Sequence, residues 1–201
     1  MNSSDGYQDA LNQVTRYVKT IGDEIEEEIE GETEDGIPIT GYSCSHGTHT
    51  YLILATEEDV YFNIQYPVSI DHAVAIKRAP NQGEVQISQS DINSARDYIE
   101  NKLEAVPQSM RREIRTNLIH IISREGVAAN LDTTKSINIH GFQLNKKIFP
   151  FDKSFNISKF EDTVQRIVNL GWVGKDYLAD AYGIKEERDP EYDDGADGFD
   201  L

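Results

Sequence analysis

The sequence predicts an α+β protein, an antiparallel sheet of about five strands with helices packed on one face. Three observations carry that expectation. Strand-like runs cluster and are joined by short turns, as in TYLILAT at 50–56 followed by VYFNIQY at 60–66. The amphipathic helical stripes stand outside these clusters instead of alternating with single strands, as a parallel sheet would require. Finally, a chain of 201 residues, 38% of them hydrophobic, can bury a core as one domain or at most two small ones.

Residues 1–36 read as an acidic amphipathic helix that packs on the domain. Tyr7, Leu11, Val14, Val18, Ile21, Ile25 and Ile29 recur at steps of three and four, Ser3, Ser4 or Asp5 can cap the start, and Gly31 is placed to end it. Glu24, Glu26, Glu27, Glu28 and Glu30 oppose the macrodipole at that end, so the last turn is expected to fray.

Strands follow. Ile37 and Ile39 flank Pro38, which suits an edge strand or a strand start. Residues 50–56 are apolar on both faces. In the next run Val60, Phe62, Ile64 and Tyr66 point one way, and Tyr61, Asn63 and Gln65 the other. Glu57-Glu58-Asp59 turns one strand into the next, giving an antiparallel hairpin. Pro67 is expected to break the run, with Val74 and Ile76 beginning another short strand.

Ser90 or Ser88 caps a helix with the stripe Ile92, Ala95, Ile99 and Leu103. Pro107 starts a second, with Met110, Ile114, Leu118 and Ile121 on one face and Gly126 closing it. A strand pair is expected next, from Ile137 and Ile139 through Phe142 and Leu144, with Gly141 shifting the phase, to Ile148, Phe149 and Phe151. Ser158 to Glu161 forms a capping box for a helix that turns Phe160, Val164, Ile167 and Val168 inward and ends at Gly171. A short last helix around Tyr177, Leu178 and Ala181 stops at Gly183. Residues 37–184 thus form the α+β domain, and 185–201, KEERDPEYDDGADGFDL, a disordered acidic tail.

The formal charge of −17 is uneven: residues 1–36 carry −9, 185–201 carry −6, and the 148 residues between them −2. Acidic ends on a near-neutral middle weaken the reading of a uniformly salt-adapted surface, although a saline cytoplasm stays open as an alternative. The sign argues against a nucleic-acid partner, since phosphate neutralisation needs a positive footprint. No apolar run is long enough to span a membrane. The start, MNSSDGYQDALNQ, lacks the basic and apolar regions of a secretory signal, so a cytoplasmic location is expected. A single cysteine excludes a disulfide framework within the chain.

Motifs that would name a reaction are missing: there is no Walker A loop, no G-x-G-x-x-G and no G-x-S-x-G. The chain is therefore not expected to be an enzyme, and no cofactor is implied. The sharpest local feature is Cys44-Ser45-His46-Gly47-Thr48-His49. Cys44, His46 and His49 form a candidate metal set on a turn between strands, since thiolate and imidazole suit zinc or copper; the competing reading is a polar hairpin loop. His120 and His140 read as structural or surface histidines. Arg111, Arg112 and Arg115 make a small basic patch without an aromatic platform, read first as a solvated flank. The stripe of the first helix could serve as an interaction surface or simply cover the sheet of its own chain. Phe199 and Leu201, in the acidic tail, could dock on a partner or ride on a solubilising tail.

Two stretches carry a resemblance. The run from Val60 to Ile76, VYFNIQYPVSIDHAVAI, has a strand, Pro67, Asp71 and a Val-x-Ile strand. The run from Ile137 to Leu170 has a strand, a turn, an aromatic strand, and a helix opening with Ser158 and Phe160 and continuing Thr163-Val164. Together, over Ile37 to Gly183, they resemble an uncharacterised archaeal family with the type III secretion chaperone-like, or YbjN-like, fold. The resemblance implies a small dimeric protein-binding module and brings no catalytic residues. The acidic first helix, the Cys44–His49 loop and the tail depart from that pattern. The expected function is thus a non-enzymatic protein-binding or chaperone-like module with a protein partner and a homodimeric state. The alternatives are a small metal-binding protein using Cys44, His46 and His49, or a transcription-associated regulator contacting DNA through the Arg111 helix.

Overall fold

The computed structural model describes residues 3–33, 35–56, 58–71, 88–123, 126–133 and 139–183. The element order is α1 (Ser3–Thr20), β1 (Glu24–Glu32), β2 (Pro38–His46), β3 (His49–Thr56), β4 (Phe62–Ser69), α2 (Gln89–Glu104), α3 (Gln108–Ile122), β5 (Ala128–Thr133), β6 (Ile139–Ile148) and α4 (Ile157–Ala181). The class is α+β. Among the described residues there are four helices and one six-stranded sheet, ordered β1-β2-β3-β4-β6-β5 with every neighbour antiparallel. The sheet is one strand larger than the sequence predicts. None of the helices is long and apolar enough to cross a membrane.

The first correction concerns the acidic segment. The helix ends at Thr20 and does not run to Gly31. Gly22, at φ +88, takes the left-handed conformation of a helix stop. The Asp23 N–H donates to the Val18 carbonyl and the Gly22 N–H to that of Lys19, which closes the orphan carbonyls of the last turn. Glu24–Glu32 then pairs with β2 as an outer strand whose six glutamates are all exposed. The four-residue spacing of Ile25 and Ile29 fits a period of two as well as one of 3.6, so periodicity alone did not separate strand from helix. Charge along an unpaired rim also blunts edge-to-edge association.

Pro67 does not break β4, which continues to Ser69 and pairs with β6 over its whole length, Phe62 to Ile148 and Ser69 to Gly141. The ladder on the other side, to β3, covers only Asn63 to Gln65, so Pro67 lies beyond it. Val74, Ile76 and Ile137 lie outside the described residues. On its other side β6 pairs with Ala128–Thr133. Phe149 and Phe151 belong not to a strand but to the turn after β6, held by a bond from Asp152 N–H to the Phe149 carbonyl.

The last helix is one 25-residue element instead of two short ones. Gly171 does not end it. A Cβ on Gly171 would run into the Tyr66 ring, and one on Gly174 would lie 2.7 Å from both Ile122 Cγ2 and Phe142 Cζ, so both glycines let the helix seat closely on β4, β6 and α3. The start is capped by Asn156, whose side chain accepts from the Lys159 N–H, and not by Ser158. Of the two caps the sequence offers, Ser90 and Ser88, it is Ser88 that caps α2, in a capping box with Asp91.

The core lies between one sheet face and the helices. Tyr51, Ile53, Phe62, Ile64, Tyr66, Phe142 and Leu144 meet Leu11, Val14 and Val18 of α1 and Phe160, Val164 and Ile167 of α4, all buried. On α3 the buried stripe is Ile114, Leu118 and Ile122, whereas Met110 is exposed. The opposite sheet face is half-buried and mixed: β3 places Leu52 and Leu54 on it, opposite Gln65 and Asn63, while Gln143 donates to Gln65 and Asn63 to Asn145 across the β4–β6 seam.

Candidate functional site

Three places bear on function: the β2–β3 hairpin end, a buried carboxylate–histidine cluster, and a groove beside the turn at 149–156.

The hairpin register pairs Cys44 with Tyr51 and His46 with His49, which sets all four side chains on one face. Each is engaged separately. Buried Asp23, at the end of the α1 stop, accepts from the Tyr51 hydroxyl at 2.8 Å and meets His46 Nδ1 at 2.7 Å. His49 Nδ1 lies 2.8 Å from the Tyr66 hydroxyl, 6.1 Å between ring centroids. Burial holds the His49 imidazole below its usual range, with Lys175 and His46 adding to the effect. Cys44 is fully buried, and burial pushes its thiol up to about 12, against a smaller opposing effect from the Tyr51 hydroxyl. Burial likewise raises the Tyr51 phenol. Such a thiol is a poor nucleophile at neutral pH. Among the described residues, no group of three or more His, Cys, Asp or Glu side chains is placed to hold a metal ion.

The second cluster was not legible as such. Asp71, next to β4, and His140, on β6, are 69 residues apart in sequence and both 1% exposed. Asp71 Oδ1 lies 3.0 Å from His140 Nδ1, and Oδ2 accepts from Arg96 Nε at 2.8 Å. Burial alone would raise the Asp71 carboxyl, but the bonds from His140 and Arg96 outweigh it and hold the group below the usual carboxylate range. His140 Nε2 stands 3.4 Å from Glu100 Oε1 without hydrogen-bond geometry. Of the two readings, structural or surface, His140 is therefore structural: a buried tie between β6, the end of β4 and α2. Nearby, Tyr182 donates to the Ile139 carbonyl and accepts from its N–H, fixing the end of α4 to the same strand.

The third place is a groove of about 390 Å³ between the end of β6, the turn and the first turns of α4. Lys146, Lys147, Lys159 and Arg166 line it, against Asp152 and Asp162. Its apolar lining includes Phe149, 48% exposed, and half-buried Phe155. Tyr61 stacks edge-on to Phe149 at 6.3 Å, Lys147 Nζ lies 3.7 Å over the Tyr61 ring, and Lys159 Nζ donates to Ser154 Oγ at 2.9 Å. Outside its lining, Phe151, edge-on to Phe62, and Val60 are exposed as well. The turn is built by Asp152, whose side chain accepts from the Ser154 N–H.

His120, Arg112 and Arg115 are exposed on α3, and Arg111 Nε donates to the Val106 carbonyl. The sequence reading missed the groove because it placed Phe149 and Phe151 in a strand. The turn chemistry of Pro150, Asp152, Ser154 and Asn156 was the signal that could have moved them out.

No protein-family model and no curated protein matches the chain. Among solved structures, the chain is similar to the crystal structure of an uncharacterized protein from Methanothermobacter thermautotrophicus, with a TM-score of 0.61 at 11% identity over 87% of this chain and 99% of that one. At that identity the likeness shows the fold alone.

Proposed function

We propose that the chain is a non-enzymatic protein-binding module, chaperone-like in the YbjN-like sense, which receives an acidic, aromatic-bearing segment in the groove at 149–156. The observation that carries this is the meeting of exposed aromatic surface with lining cations that outnumber acids, on a chain whose formal charge is −17. Solvent-exposed apolar residues that lie together mark contact surfaces, and acidic motifs are read by cationic clusters. The burial of Cys44, Asp71 and His140 supports the non-enzymatic side of the reading, because a reacting atom could not reach them. A homodimeric state in a cytoplasmic setting belongs to the same proposal.

Selection of displayed random peptides on the full chain tests it. The enriched class should combine Asp or Glu with Phe, Tyr, Trp or Leu. Titration calorimetry should show binding weakened at least tenfold by Lys147→Glu with Phe149→Ser. No enriched class, or unchanged binding in that variant, overturns the reading. Light scattering at increasing concentration tests the dimer, which a constant monomer mass removes.

A further inference from the structure

We infer that the groove is filled in the resting chain by the chain's own acidic segment, residues 185–201, with Phe199 against Phe149 and Phe155 and the flanking aspartates against Lys147 and Lys159. The inference rests on reading the groove as a peptide site and names its first occupant.

Three things on the molecule carry it. The first is charge. The segment holds eight acids and two bases, and its large apolar residues are Tyr192, Phe199 and Leu201, so its one aromatic–aliphatic pair, Phe199 and Leu201, sits among Asp194, Asp197 and Asp200. The groove offers the matching pattern, lysines bordering half-buried and exposed aromatic rings. Lys147 and Lys159 rest on neutral groups, a phenol ring and a serine hydroxyl, and both are exposed.

Reach is the second. The groove lies at the first turns of α4, while the described chain ends just past the far end of that helix, at Gly183. From Lys159 to Ala181 the helix rises about 33 Å at 1.5 Å per residue. The sixteen residues from Gly183 to Phe199 span up to roughly 53 Å when extended, so Phe199 can return to the groove with length to spare. The third is the competing surface. Arg111, Arg112 and Arg115 on α3 offer charge, but no aromatic residue adjoins them in sequence, so they match only half of the pattern.

Paramagnetic broadening in the full chain decides the matter. A nitroxide is placed through Asp197→Cys. The native thiol, Cys44, is fully buried and does not compete for the label. Amide resonances of Lys147, Ser154, Lys159 and Thr163 should lose at least half their intensity. Those losses should shrink at least twofold with Phe199→Ala, and with Lys147→Glu combined with Lys159→Glu. Raising salt from about 0.1 to 1 M, which shortens the Debye length from about 10 to 3 Å, should also weaken them. Phe199→Ala leaves every described contact in place, so it serves even where the charge reversal fails to fold. Undiminished groove signals overturn the inference, as does broadening centred on Arg111 to Arg115. Broadening only in mixtures of labelled and isotope-enriched copies also overturns it, since the docking is then between chains. Peptide binding without intrachain broadening sinks this inference and spares the protein-binding reading; broadening without any peptide class does the reverse. Where both hold, Phe199→Ala should tighten peptide binding, because an occupied site lowers apparent affinity by its free fraction.

Discussion

Gly171→Ala should destabilise the protein although it removes a glycine from a helix interior. In an open helix this exchange stabilises by about 1 kcal/mol. Here the new methyl would enter the Tyr66 ring at Cδ1 and Cε1. That ring cannot simply swing away, because its hydroxyl is held to His49 Nδ1 at 2.8 Å and the residue is only 6% exposed. Overpacking costs about 1–3 kcal/mol and losing the hydrogen bond about 1 kcal/mol more. Subtracting the propensity gain leaves a net loss of about 1–3 kcal/mol, a fall of roughly 3–10 °C in Tm for a chain of this size. Urea titration followed by far-ultraviolet circular dichroism reads it, with Val173→Ala, on the exposed side of the same helix, changing stability by less than about 0.5 kcal/mol. In a Tyr66→Ala background the same Gly171→Ala exchange should become stabilising by about 1 kcal/mol. A Gly171→Ala protein as stable as the parent, or an unchanged cost once the ring is gone, would refute the argument that α4 is seated through this glycine.

Two further outcomes follow from the buried polar groups. Asp71→Asn removes the negative charge and leaves one acceptor oxygen where His140 and Arg96 had two, and should cost about 2–4 kcal/mol in urea titration, since a buried pair loses its charged partner. Because the folded Asp71 carboxyl lies below its ordinary value, its stabilisation is complete above about pH 4 and is lost as pH falls through the folded value; the gap between parent and variant should therefore close in acid, and a gap constant down to about pH 2 would count against the pairing. Cys44 should react with a maleimide at pH 7 at least 100-fold more slowly in the native chain than in urea, because a thiol at about 12 is roughly one part in 10⁵ ionised and is also fully covered; equal rates would show the hairpin end to be open.

How far the sequence reached differs from element to element. The α+β class, the hairpin of β3 and β4, the stripe of α2 and the inward face at the start of α4 were all readable, because each has several apolar residues at one period and a cap or turn at its border. Ile25 and Ile29 were not, since two residues four apart satisfy both periods, and the left-handed Gly22 outweighed them. Gly171 read as a terminator by composition, yet it is an approach point, a property of the Tyr66 ring across the core that no local window contains. β5 went unseen because AANLDT has little β-branched or aromatic content and is a strand by virtue of its pairing with β6. At the candidate site, Asp71 and His140 were each visible but their union was not, being a tertiary fact. Cys44, His46 and His49 do come together at the hairpin end, on one face, but Asp23 and Tyr66 claim the two rings.

The glutamate-lined β1 has a bearing on how copies of this chain can join. Extending the sheet through that rim would lay six carboxylates of one molecule along six of the next, at the 4.8 Å or so that separates hydrogen-bonded strands. The other rim among the described residues, AANLDT in β5, carries a single acid. Among the described strands, charge thus opposes growth of the sheet at β1 and not at β5, so the two borders of one sheet differ in what they allow to approach.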